Sequence, residues 1–358
     1  MLYNCTMLYA ELSLAAQTAF AQLQDVVLAE HVSRSVAQLH GNFAKKTVKG
    51  REYWYFVFRE GTQHRQIYVG PDEPRVRALV EKKQASDPGK VAALARAYAA
   101  QGATTLLGKH LRVIARLTDF GFFRAGGVLV GTHAFAAYAN LLGVQWTGGD
   151  RTMDVDVAMP GRNVSIALPD PPQANLHDAL STFEAGFIPT QTFAGGAGPT
   201  YSLRGEPDLQ IDFLTTLTRA GDAPRPIEVL SVTAQPLKFL DYLLETPTQS
   251  VLLDRAGHCT VASLPEPSRY AVHKLIVHGE RATRQHTKAR KDLEQAAALL
   301  QWHAAHDADR LMQAWNDALA RGPGWRSRLR AGIAALQKPW PLQELGWALG
   351  KASALMPA

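Results

Sequence analysis

Two carboxylates stand one residue apart in Thr152-Met153-Asp154-Val155-Asp156-Val157. The stretch reads as a strand, and side chains alternate along a strand, so Asp154 and Asp156 project from one face. Carboxylates held that close repel each other unless a cation lies between them. Upstream, Gly127-Val128-Leu129-Val130-Gly131-Thr132-His133-Ala134 reads as a short buried strand, a glycine turn and a helix running to about Leu142. Gly131 lets backbone amides approach a phosphate, and a helix N-terminus favours negative charge there. Thr132 offers a hydroxyl, Arg151 a cation for a triphosphate, and His133 reads as a residue of the first helical turn rather than a base. A third carboxylate, Asp212, lies in Asp208-Leu209-Gln210-Ile211-Asp212-Phe213-Leu214. There Ile211 and Phe213 would face a core, while Gln210 and Asp212 share the opposite face, with Asp208 as the fallback ligand. Transfer of a phosphoryl group from a nucleoside triphosphate needs little covalent help from protein. It needs divalent ions on the phosphates, a cradle for charge and an in-line nucleophile. Three carboxylates on neighbouring strands can hold two Mg²⁺ (or Mn²⁺) ions about 3.5–4 Å apart.

The elements that would position these residues follow from periodicity. Residues 7–39 contain no proline or glycine, and Leu12, Phe20, Leu23, Val27 and Leu28 recur near helical spacing. Strands are expected at 43–49, 51–58 and 64–70, around an aromatic middle strand Tyr53-Trp54-Tyr55-Phe56 with aromatics on both faces. Lys45, Lys46, Lys49, Arg51, Arg59 and Arg65 surround it, a pattern that fits either solvated lysines on a small sheet or a nucleic-acid backbone beside stacking rings. Helices are expected at 72–84, 89–100 and 104–119, and again at 175–186. Short strands follow near 189–193, 200–204, 227–232, 250–254 and 258–263. From Pro265 onwards the chain is helical, punctuated at Gly322-Pro323-Gly324 and Pro339–Pro341. A single helix over 265–300 would put Lys274 and Lys288 on one face, unless Gly279 breaks it.

Composition sets the frame. The 358 residues suit two or three domains, and 46% hydrophobic with 20% charged residues is that of a soluble globular chain. The net charge of +6 leans towards polyanionic partners. Cys5 and Cys259 offer neither a zinc spacing nor a disulfide framework. No stretch approaches the ~20 apolar residues of a membrane span and no signal peptide is apparent, so a cytoplasmic protein without a membrane partner is expected.

The order of apolar strand, Gly-Thr turn, helix, Asp-Val-Asp strand and later single Asp resembles the nucleotidyltransferase superfamily with the DNA polymerase β-like fold. Arg151-Thr152-Met153-Asp154-Val155-Asp156 is similar to the Arg-Ser-x-Asp-Ile-Asp form of the abortive-infection and toxin nucleotidyltransferases. Pro267-Ser268-Arg269-Tyr270-Ala271-Val272-His273-Lys274-Leu275 resembles their helix with a nucleotide-contacting lysine. Lys288-Ala289-Arg290-Lys291-Asp292-Leu293-Glu294-Gln295 resembles the basic-acidic motif that follows. The resemblance implies that Lys274 binds the triphosphate, that Lys288 and Asp292 belong to the nucleotide site, and that the acceptor is tRNA or another RNA, with an antitoxin as a conceivable partner. The interval from Thr132 to Asp154 is longer than the family's usual spacing, and Lys291-Asp292 stands where Arg-Asp is more usual.

The expectation is an α+β chain with a mixed-sheet nucleotidyltransferase core over 120–264. An N-terminal helix-plus-small-sheet region would precede it over 1–119, and a C-terminal helical bundle would follow over 265–358. Its activity would be metal-dependent transfer of a nucleoside monophosphate from an NTP to a hydroxyl, with Asp154, Asp156 and Asp212 both catalytic and metal-binding. The alternatives are a small-molecule or protein acceptor, or a nucleic-acid-binding protein with a degenerate core.

Overall fold

The structure, a computed structural model, describes residues 7–37, 41–48, 50–60, 63–74, 76–77, 88–148, 152–161, 175–191, 196–280 and 286–340; of residues 32–37, 41–43, 48, 56–60, 63–70, 88 and 286–288 the backbone alone is described. The N-terminal part holds β1 (Tyr9–Glu11), α1 (Leu14–Ala37), the strands β2 (Gly41–Val48), β3 (Arg51–Glu60) and β4 (Gln63–Pro71), then α2 (Pro88–Ala99) and α3 (Gly108–Asp119). The middle holds β5 (Val128–Leu129), α4 (Gly131–Leu141), β6 (Val144–Trp146), β7 (Asp154–Met159), α5 (Leu176–Ser181), β8 (Phe187–Gln191), β9 (Ala197–Leu203), β10 (Glu206–Thr216), β11 (Arg225–Ile227), β12 (Val232–Leu237), α6 (Leu240–Leu243), β13 (Thr248–Leu253) and β14 (Cys259–Leu264). The helices α7 (Pro267–Glu280), α8 (His286–His306), α9 (Ala308–Ala320) and α10 (Pro323–Leu336) complete it.

The chain is α+β, organised on a mixed sheet of seven strands. Its main path is β11-β12-β10-β7-β5, with β9 on β10 and β8 on β9. The strands β7, β10 and β12 run parallel, while β5, β9 and β11 join antiparallel. Period-two alternation does the sorting: in β7, Val155 and Val157 are buried and Asp154 and Asp156 are not, and in β10 Ile211 and Phe213 are buried on either side of Asp212. One apolar core runs from Leu111 on α3 through the sheet to Leu336 on α10, so the sheet and the C-terminal helices share it. A second cluster lies between α1, α2 and the β13–β14 hairpin. The hairpin divides the two, with Leu252, Ala262 and Leu264 facing the first and Val251, Leu253 and Val261 the second. The strands β2, β3 and β4 form a separate antiparallel sheet, as their alternation predicted.

Several elements differ from expectation for local reasons. The helix expected over 175–186 stops at Ser181, because Glu184 (φ 48°) and Gly186 (φ 84°) enter left-handed backbone and turn the chain. The strand expected over 227–232 is split by a 3₁₀ turn at Glu228–Leu230, with Ser231 at φ 54°. Of the helix expected over 72–84, residues 74, 76 and 77 are helical and the remainder lies mostly outside the described residues. No continuous helix joins Lys274 to Lys288, since α7 ends at Glu280 and α8 begins at His286. Gly279 sits inside α7 and serves close packing: a Cβ there would lie 2.6 Å from the Arg328 carbonyl oxygen of α10.

The long interval between Thr132 and Asp154 is spent on β6, which pairs antiparallel with β1 from Tyr9↔Trp146 to Glu11↔Val144. The Trp146 indole stacks on Phe135 at 4.8 Å and donates to its carbonyl at 3.0 Å. The interval thus fastens the chain's beginning to α4 without entering the central sheet.

Candidate functional site

Parallel pairing of β7 with β10 places Gln210 opposite Asp154 and Asp212 opposite Asp156. Neighbouring strands lie about 4.8 Å apart, so the last two carboxylates sit side by side on the polar face of the sheet. On its other edge β10 meets β9, where Thr200 is the register partner of Asp212 and donates to its Oδ1 at 2.5 Å. Asp154 and Asp156 are half-buried, and the Asp154 amide donates to Thr152 Oγ1 at 3.3 Å. Asp208 is exposed and precedes the β7-paired segment, so it is displaced from this group.

The glycine turn arrives from the opposite edge of β7. The Val130 amide donates to the Asp156 carbonyl at 2.9 Å, which ends β5 beside the acidic strand. Gly131 then takes φ 65°, and a Cβ at that position would collide with the Asp156 carboxylate. Glycine is therefore demanded twice, by backbone conformation and by space. Val130, the N-cap of α4, provides no side-chain cap hydrogen bond, and the first-turn N–H groups have no partner within the helix. The helix N-terminus and the carboxylate next to it attract each other. Thr132 is half-buried in that first turn.

The C-terminal helices close on the turn from behind. Tyr270 Oη lies 2.8 Å from the Gly131 carbonyl and 2.9 Å from the Gln295 side-chain amide. Lys274, one turn further along α7, stands 5.0 Å over the Tyr270 ring and pairs with Asp292 of α8 at 2.7 Å. Burial works against the Lys274 charge, but Tyr270 and Asp292 outweigh it and hold its pKa above the usual lysine value. Burial likewise pushes the Tyr270 phenol up to about 12, with Lys274 opposing and Asp292 and Asp156 adding to the shift. Lys274 and Asp292 thus stand behind Gly131, bonded to each other. The Lys288 side chain and all of Arg151 lie outside the described residues.

His133 occupies the first turn of α4, as expected, and is buried. Its Nε2 lies 3.0 Å from His110 Nδ1 of α3. Burial lowers its pKa to about 3, helped by His110 and Lys291 and partly offset by the Asp154 backbone. It is a neutral packing group of the turn.

Sequence reasoning missed Tyr270, Gln295, Thr200 and His110. The first two carried a local signal, since Tyr270 lies one turn before Lys274 and Gln295 three residues after Asp292. Thr200 and His110 carried none, because only strand pairing and helix packing bring them in.

Oxygen donors on one face suit a hard divalent cation, and Asp154, Asp156 and Asp212 supply them. By donor chemistry these residues suit such an ion. Asp212 is meanwhile engaged by Thr200, and among the described residues no group of three or more His, Cys, Asp or Glu side chains could hold a metal as it stands.

An acidic strand pair thus stands beside a glycine turn at a helix N-terminus, on a mixed sheet. The nucleotidyltransferase family model matches residues 109–320, from α3 to the end of α9, and the chain belongs to that family. The match takes in every residue of the site from Gly131 to Gln295. A second model, of a domain of unknown function (DUF6788), matches residues 19–78, which include β2, β3 and β4. No curated protein and no solved structure matches the chain. Among the described residues no helix is long and apolar enough to cross a membrane.

Proposed function

We propose that this nucleotidyltransferase has a polymerase β-like core and moves a nucleoside monophosphate from an NTP to the hydroxyl of an RNA, in the manner of the toxin enzymes. The carrying observation is the placement of Asp212 opposite Asp156 across β7 and β10, with Gly131 against the same carboxylate. Gly131 and Thr132 offer backbone amides and a hydroxyl to the triphosphate at the start of α4. Lys274 adds positive charge behind that turn, kept in place by Asp292. Asp154, Asp156 and Asp212 would hold Mg²⁺ or Mn²⁺, which when bound neutralises charge on the phosphates and polarises the reacting oxygens. Asp212 accepts the proton of the acceptor hydroxyl; the hydroxyl oxygen forms the new bond to the α-phosphorus, and the bond to pyrophosphate breaks.

An RNA acceptor is supported by the basic, aromatic N-terminal sheet. Lys45 lies 5.2 Å over the Trp54 ring and is paired with Glu52 and Asp72, Lys46 lies 5.4 Å over Tyr55, and both lysines are exposed. Such a surface offers backbone charge neutralisation next to stacking rings. The same reading places the enzyme in the cytoplasm and gives it an antitoxin partner.

The test is transfer of label from α-³²P-labelled NTPs to cellular RNA, tRNA included, with added Mg²⁺ or Mn²⁺. Label in RNA that disappears in Asp154→Ala/Asp156→Ala is the expected result, and label that persists in the double variant overturns the assignment. Label in a protein or a small product with RNA unlabelled selects a different acceptor. Salt-sensitive RNA binding without turnover selects a binding protein with a degenerate core.

A further inference from the structure

The Gly131 turn is fastened from behind by two side chains that the sheet does not supply. Tyr270 is 1% and Gln295 4% exposed, and the tyrosine oxygen lies within 2.9 Å of both the Gln295 amide and the Gly131 carbonyl. A phenol has a single proton to give. The phenol faces two acceptors, the Gly131 carbonyl oxygen and Gln295 Oε1, so its one proton ties the turn to α8 as well as to α7, and Lys274 is a further hydrogen-bond partner of the same oxygen. The ring cannot swing away freely: Tyr138 of α4 meets it edge-on at 5.3 Å, and Lys274, tied to Asp292, covers it at 5.0 Å. Elements α4, α7 and α8 therefore converge on one oxygen.

We propose that Tyr270 and Gln295 are positioning residues for nucleotide binding. The peptide group is planar, so the Gly131 carbonyl and the Thr132 N–H lie in one plane and point in opposite directions. Holding the carbonyl to Tyr270 aims the Thr132 N–H the other way, out of the N-terminus of α4 where a phosphate would sit. Gly131, at φ 65° and without a side chain, begins α4 in left-handed backbone, and the Tyr270 bond adds to the helical one in fixing that plane. Lys274 and Asp292 support the same orientation by keeping the Tyr270 ring in place. This role presupposes that the Gly131–Thr132 turn seats the triphosphate, as proposed above.

The test compares wild type, Tyr270→Phe and Gln295→Leu in the full-length chain. Tyr270→Phe keeps the ring, its packing and the Lys274–Asp292 pair, and deletes one O–H with its bonds to Gly131, Gln295 and Lys274. Its KM for NTP is expected to rise about 5- to 10-fold with kcat changed less than threefold, the size of one lost hydrogen bond. Equilibrium binding of a non-hydrolysable ATP or GTP analogue should weaken by the same factor, and Gln295→Leu should shift both quantities in the same direction. Lower unfolding temperature in both variants with KM and analogue affinity unchanged means a structural role alone and overturns the proposal. Wild type that transfers label but shows no difference from Tyr270→Phe in KM also overturns it, leaving the nucleotidyl-transfer reading intact. Wild type that binds no nucleotide overturns both.

Discussion

Asp156 makes three commitments at once: its carbonyl ends β5, its carboxylate occupies the space a Gly131 side chain would need, and its register partner is Asp212. Asp156→Asn keeps the shape and removes the charge. Transfer activity is expected to fall by about 10²- to 10³-fold, the usual scale for losing a group that acts on transition-state charge. Label transfer measures that loss, and urea unfolding checks separately that the fold is kept. Gly131→Ala is expected to cost about 1–3 kcal/mol of stability and to abolish NTP binding, since the methyl group meets the carboxylate and φ 65° disfavours it. Calorimetry and nucleotide titration would show both.

Between elements, α7 is the piece that joins chemistry to scaffold. It presents Tyr270 and Lys274 to the turn and packs backbone-close against α10, where Gly279 approaches Arg328 and Gly332 approaches the Leu275 carbonyl. Gly332→Ala must push these helices apart and is expected to destabilise by about 1–3 kcal/mol, measured by denaturant unfolding. Lys274→Met removes the partner that Asp292 Oδ1 holds at 2.7 Å, and breaking a buried ion pair from one side is expected to cost about 3–5 kcal/mol. Adding Asp292→Leu should recover most of that loss, because a buried ion pair replaced whole by apolar groups costs little. A double-mutant cycle in urea distinguishes this from two independent losses.

Across the whole molecule, acid sensitivity follows from buried histidines. His133, His110 and His303 are all held below the ordinary histidine value, in each case first by burial. A histidine kept neutral in the fold takes up its proton only on unfolding. Its contribution is present above the unfolded value near 6.5 and is lost as pH falls towards the folded value. For His133 that window runs from 6.5 down to about 3, with a slope of about 1.4 kcal/mol per pH unit. Urea unfolding at pH 7 and pH 5 should show a marked loss at the lower pH, and His133→Gln should flatten the difference.

The strand faces were legible from residues alone. Asp154 and Asp156 share a side, as do Gln210 and Asp212, because alternation is a property of local dihedral angles. The Gly131 turn, the buried Ile211 and Phe213, the three-stranded aromatic sheet and the helical C-terminus were legible for the same reason. Partnership was not. Asp212 meets Asp156 only through the parallel register of β7 and β10, and Tyr270 reaches Gly131 across 139 residues of chain. The long stretch between Thr132 and Asp154 looked like a departure from the acidic motif and became the β6 strand that pairs with β1. Those contacts depend on which surfaces the fold buries against each other, a free-energy balance over the whole core that no local spacing encodes.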